Sequence, residues 1–181
     1  MTTDEAWLKS RAFLLLIDAP VTIPDAVAQA RSAGLAGVVL HPSHVQLAGD
    51  TAGLTVVSVV GYPSGCHHTL VKAAEARLAV AQGAEEIWLA TDPAITDDNA
   101  LLAEFVAVRE AVPPPVTLAV FGDHAATARL AGVDRMVGAS ISGDLPHTIL
   151  ADSLDAVIAA LEAGADRVAV SDVAAVCPPP G

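Results

Sequence analysis

Six histidines, His41, His44, His67, His68, His124 and His147, are the side chains of this 181-residue chain best suited to proton transfer or metal ligation near neutral pH. The first five fall at the ends of apolar runs or in the stretches that follow them, close in sequence or pattern to Asp92, Asp123 and Asp172. A set of histidines and carboxylates is donor chemistry for a metal-assisted lyase or hydrolase. None of the spacings forms a standard metal motif, so no metal is expected and that chemistry stands as an alternative. Cys66 follows Gly65 at a loop-to-helix junction, where a helix N-terminus can activate a thiol. No second signal supports nucleophilic use, and Cys66 is read as a small exposed loop residue. The only lysines are Lys9 and Lys72. Lys72 lies a few residues into a helical segment, which predicts a solvated side chain within reach of Glu75.

The elements that must carry these residues alternate. Apolar, β-branched runs at 13–18, 36–40, 54–60, 86–90, 116–121, 134–137 and 167–170 predict strands. Alanine-rich segments with helical spacing at 24–33, 69–81, 99–111 and 153–163 predict helices. Gly34, Gly83, Gly132 and Gly164 each close a helical segment a few residues before a strand. Strand and helix in alternation imply parallel strands with right-handed crossovers. The fold class is therefore α/β, a TIM-type (β/α)8 barrel that is shortened or irregular, in one domain over 1–181. Only seven strands are recognisable, and residues 141–152, interrupted by Pro146, are the expected place of a missing or degenerate unit. The proline-rich tail, residues 177–181, reads as a frayed terminus.

Composition narrows the partners. Hydrophobic residues make up 53% and aromatic residues 3%, so alanine, valine, leucine and isoleucine must fill the core. A formal charge of −12 repels nucleic acid and anionic membrane surfaces. The apolar stretch 12–17 is too short to span a bilayer and lacks a cleavage pattern. With two cysteines in no framework spacing, a cytoplasmic location is expected. The chain leaves room for a small-molecule ligand and for a homo-oligomer.

The run Val59-Val60-Gly61-Tyr62-Pro63-Ser64-Gly65-Cys66-His67-His68-Thr69-Leu70-Val71-Lys72, continued by Gly83-Ala84-Glu85-Glu86-Ile87, resembles the third strand, following helix and fourth strand of deoxyribose-phosphate aldolases. Ile17-Asp18, Val39-Leu40-His41-Pro42-Ser43 and Gly164-Ala165-Asp166-Arg167-Val168 resemble the first, second and last strands of the same family. The resemblance implies a class I aldolase that uses no cofactor. A strand lysine forms a Schiff base with acetaldehyde, a carboxylate relays protons, and backbone amides hold the phosphate of 2-deoxyribose 5-phosphate or glyceraldehyde 3-phosphate.

The departures fall on that machinery. The lysine position matches Val137 or Gly138, and the proton-relay aspartate matches Trp88. The phosphate loop after the seventh strand has no counterpart, and the final serine pair becomes Ser171-Asp172. Family positions at the barrel mouth that remain as binding candidates are Asp18, His41, Cys66, His67, Asp92, Ser140, Ser171 and Asp172. Arg135 and Arg167 stand at strand starts, at the wrong end to replace the phosphate site. The expectation is an aldolase homologue that is catalytically impaired or repurposed for small-molecule binding. A structural or oligomerisation partner is a further alternative.

Overall fold

The computed structural model describes residues 3–18 and 22–177. Eight parallel strands close a barrel in sequence order: β1 (Ala12–Leu15), β2 (Gly37–Leu40), β3 (Thr55–Val60), β4 (Glu86–Leu89), β5 (Thr117–Phe121), β6 (Arg135–Gly138), β7 (His147–Ala151) and β8 (Arg167–Val170). The seam is made by β1 and β8, with Ala12 opposite Val168 and Leu14 opposite Val170. Helices α1 (Thr3–Lys9), α2 (Ile23–Ala33), α3 (Thr69–Ala81), α4 (Asp98–Ala111), α5 (Ala125–Leu130) and α6 (Leu154–Glu162) lie outside the strands. Gly34, Gly83, Gly132 and Gly164 all take positive φ, as their helix-closing role requires.

Seven strands were expected and eight are present. The eighth, β7, occupies part of the segment anticipated as missing, because its five residues follow Pro146 and a polar loop without a helical run to set them off. The chain is short in its helical layer instead. Residues 139–146 join β6 to β7 with no helix, and a 3-10 helix (Pro42–Leu47) is all that joins β2 to β3. His147 secures the helix-free connection: its buried ring takes the Ser142 N–H on Nε2 at 2.9 Å and lies 2.6 Å from the Leu145 carbonyl through Nδ1. The proline-rich tail lies outside the described residues except for Cys177, which packs against the core.

Strand alternation sends one set of side chains inward and the next toward the helices. Phe13, Val39, Val57, Val59, Trp88, Ala119, Val137 and Ala169 form the interior cluster, while Leu14, Val38, Val56, Ile87, Leu118 and Met136 join the larger core under the helices. The small interior residues make room for the large ones. A Cβ at Gly37 would come within 2.4 Å of the Thr55 carbonyl oxygen and 2.5 Å of the Phe13 ring, so β2 needs glycine beside that ring. At the amino end the interior is charged. Buried Glu86 accepts Arg167 at 2.7 Å, lies 3.9 Å from Arg135, and takes the Trp88 indole N–H at 2.7 Å. Burial, and then the charge of Arg167, pull the pKa of Arg135 below its ordinary value.

Candidate functional site

Above Trp88 the interior opens at the carboxyl ends of the strands into a cavity of about 400 Å³. Leu15, Ile17, Phe121 and Leu150 give it apolar walls, Tyr62 adds an amphipathic ring, and Asp18 and Ser171 supply its polar groups. β1 presents Leu15 and, just beyond its end, Ile17 and Asp18; β5 ends on Phe121; β7 contributes Leu150; Ser171 follows β8. Tyr62 reaches in from the turn after β3. That turn is held by Gly61, whose N–H donates to Glu75 at 2.8 Å, and by Gly65, which at φ 70° rests directly on Thr91. A Cβ at Gly65 would lie 2.1 Å from the Thr91 carbonyl, so the close approach demands glycine.

Aromatic rings meet edge-on or tilted through the site. Phe121 meets Trp88 edge-on at 5.9 Å between centroids and lies 6.0 Å from Tyr62, which is in turn 6.1 Å from His41. The Tyr62 hydroxyl donates to Asp18 at 3.3 Å. Burial first, and then the neighbouring carboxylate, raise the pKa of Tyr62 above 10.0. Tyr62 is the only tyrosine, so its ionisation can be read directly. We expect tyrosinate absorbance to appear with a midpoint above that of free tyrosine, and Asp18→Asn to move the midpoint down, because removing a negative charge makes the phenolate easier to form. A midpoint unmoved by Asp18→Asn would contradict the contact. A raised folded-state pKa means that this interaction stabilises the fold below about pH 10 and is lost as pH rises through the folded value.

Of the expected binding residues, the cavity gathers Asp18 and Ser171 alone. His41 is turned away, its Nε2 2.7 Å from the Ile17 carbonyl, and borders an outer groove beside α3. His67 is exposed, and Cys66 is an exposed free cysteine whose N–H and thiol bond to Ser64. Asp92 caps its own turn through Ala94, and Asp172 caps a short 3-10 helix (Val173–Ala175) through Ala174. Ser140 borders a groove outside the barrel, against α6. Among the described residues no three His, Cys, Asp or Glu side chains converge as a metal site would require. Sequence reasoning missed Tyr62, Phe121, Leu15, Ile17 and Leu150. Tyr62 and Ile17 stood in the motifs that carry the family resemblance, and the other three lie at or next to strand ends with inward parity.

The expectation for Lys72 is corrected. Its side chain is fully buried, and its ammonium donates to Glu104 at 2.8 Å and to the Ala90 carbonyl at 3.0 Å. Glu75 is not its partner. Lys72 shares the inward face of α3 with Ala76 and Ala79, while Leu70, Val71 and Leu78 stand exposed on the other side. The reason is the buried Glu104 on α4, which compensates the charge across the two helices. Lys72 therefore lies in the helical layer, outside the mouth cavity.

No family model matches the chain. The deoxyribose-phosphate aldolase of Corynebacterium jeikeium is 38% identical over 141 residues, which cover 67% of this chain and 57% of that protein. The aldolase of Mycobacterium tuberculosis is 37% identical over 148 residues, covering 80% and 58%. The chain belongs to the deoxyribose-phosphate aldolase family. It spans about half the length of the curated relatives it matches. Solved structures agree on the fold: a tetrameric deoxyribose phosphate aldolase from Aeropyrum pernix superposes with a TM-score of 0.83 at 20% identity, covering 95% of this chain and 90% of that one. The aldolase QR15 gives 0.80 at 21%, covering 93% of each.

The barrel distinguishes the two positions matched to the aldolase family's Schiff-base lysine. Val137 points inward, in the cluster that holds Trp88, Ala119 and Ala169, whereas Gly138 follows it with the opposite parity. Trp88, at the position matched to the family's proton-relay aspartate, is wholly buried and fills the interior between the charged layer and the Phe121 floor.

Proposed function

We propose that this aldolase homologue is a non-catalytic, single-domain cytoplasmic protein that holds a small molecule in the barrel mouth. The observation that carries the reading is the packing of Val137 and Trp88 at the centre of the barrel. Val137 offers no amine where Schiff-base formation would need one, and Trp88 offers an indole N–H, already bonded to Glu86, where a carboxylate would shuttle protons. Lys72 does not supply the missing amine, since it is enclosed by Glu104 and Ala90 away from the cavity. What remains is a concave, mostly apolar pocket with few polar groups, the ordinary form of a ligand site.

Incubation with acetaldehyde and borohydride, followed by intact-mass measurement and peptide mapping, tests the reading. The expected result is no stoichiometric adduct within the barrel and no release of acetaldehyde from 2-deoxyribose 5-phosphate. An adduct confined to Lys9, on α1 outside the strands, agrees with it. A stoichiometric adduct on Lys72 overturns it. The exposed apolar face of α3, with Leu70 72%, Val71 53% and Leu78 58% accessible, favours self-association as part of the same reading, which light scattering measures directly.

A further inference from the structure

Charge is distributed along the barrel axis. Arg31, Arg109 and Arg129 occupy the last turns of α2, α4 and α5, and Arg135 and Arg167 the starts of β6 and β8, all at the amino ends of the strands. Asp25, Asp98 and Asp155 occupy the first turns of α2, α4 and α6, and Asp97 caps α4, all at the carboxyl ends. Each placement complements a helix dipole. The amino-end arginines are paired at that end, Arg31 with Asp50, Arg109 with Asp134, Arg129 with Asp144 and Arg167 with Glu86, whereas Asp18, Asp92 and Asp172 at the mouth have no lysine or arginine partner among the described residues. The cation of the first turn of α3, Lys72, is neutralised by Glu104. Among the described residues, the mouth cavity is lined by one carboxylate, Asp18, and by no lysine or arginine.

A phosphate would meet the Asp18 carboxylate there and, among the described residues of the lining, no cation. An ammonium group gains from the Asp18 carboxylate and from the aromatic rings of Tyr62 and Phe121 in the lining, since such rings attract cations. Leu15, Ile17 and Leu150 offer the rest of a ligand an apolar wall, and about 400 Å³ is at the small end of ligand cavities. The geometry points to a small organic ammonium ion with an apolar body as the ligand of the barrel mouth. This inference rests on the reading of the mouth as a ligand site and specifies its chemical class.

Calorimetric titration of the full chain with three compounds of similar size separates the two claims. Phenethylammonium, phenethyl alcohol and phenylacetate carry a positive, a neutral and a negative head, and 2-deoxyribose 5-phosphate is the fourth probe. The ammonium ion is expected to bind about tenfold more tightly than the alcohol, the combined size of an exposed ion pair and a cation–π contact. Phenylacetate and the sugar phosphate bind more weakly than either. Asp18→Asn narrows the preference for the ammonium ion to about threefold, the share of the cation–π contact alone, and leaves the alcohol unchanged; Tyr62→Phe, which keeps the ring, retains most of the preference. Equal binding of all three heads, or an ammonium affinity indifferent to Asp18→Asn, overturns the ammonium inference and leaves the small-molecule reading standing. Failure of every probe to bind overturns both. Tightest binding of 2-deoxyribose 5-phosphate overturns the ammonium inference in favour of a phosphate site and leaves the small-molecule reading standing.

Discussion

Lys72→Met is expected to lower the free energy of unfolding by about 3–5 kcal/mol, the cost of leaving one member of a buried ion pair without the other. Glu104 is only 6% exposed and Lys72 is 0% exposed, so neither charge can turn to water when its partner is removed. The Ala90 carbonyl would lose a donor in the same step. The double variant Lys72→Met, Glu104→Leu should recover most of the loss, because it removes the stranded carboxylate and leaves an apolar contact between α3 and α4. Urea unfolding followed by circular dichroism measures both. A single variant as stable as the parent would show that the pair is hydrated, and would reopen the question of whether this amine is accessible to aldehydes.

Trp88→Ala should cost about 3–5 kcal/mol through the cavity it leaves in the barrel interior. Its neighbours Ala119 and Ala169 are too small to fill the space. The same substitution takes a hydrogen bond from Glu86, which then faces Arg167 and Arg135 without the indole donor. Trp88→Phe separates the two contributions: it keeps most of the packing and loses the donor alone, for an expected cost of about 1–3 kcal/mol. Guanidinium unfolding of the three proteins checks the order. If Trp88→Phe and Trp88→Ala cost the same, the hydrogen bond to Glu86, and not the filling of the barrel, is what Trp88 contributes. The result bears on function because Trp88 packs edge-on against Phe121, which lines the mouth cavity.

Local signals carried most of the fold. Helix α3 has the bounds read from spacing alone, β8 likewise, and the glycines that close helices do so because their left-handed conformation is needed within a few residues of where the pattern stops. The strand β7 escaped notice because the loop before it replaces a helix, so the alternation that identifies its neighbours is absent there. Its inward and outward parity became visible only when it paired with β6 and β8.

The candidate site was less legible. Asp18 and Ser171 are far apart in the chain and meet because β1 and β8 close the barrel. His41, Cys66 and Ser140 carry chemically capable groups at plausible strand ends, yet one backbone turn directs each of them to an outer groove, to a neighbouring turn or to solvent. Lys72 shows the same limit in reverse: its helix position is ordinary, and the carboxylate that makes burial tolerable belongs to a helix more than thirty residues away, at a sequence separation of 32.

By itself the sequence determined the alternation of strand and helix, the acidic balance, the family resemblance, and the fact that no strand carries a lysine, all of them properties of residue type and short-range spacing. Tertiary structure decided that there are eight strands, that Val137 faces the interior while Gly138 does not, that Trp88 occupies the barrel's centre, and that Lys72 is buried. Those outcomes depend on barrel closure, which brings residues together across the whole chain and sets, for each charge, whether a partner or water surrounds it.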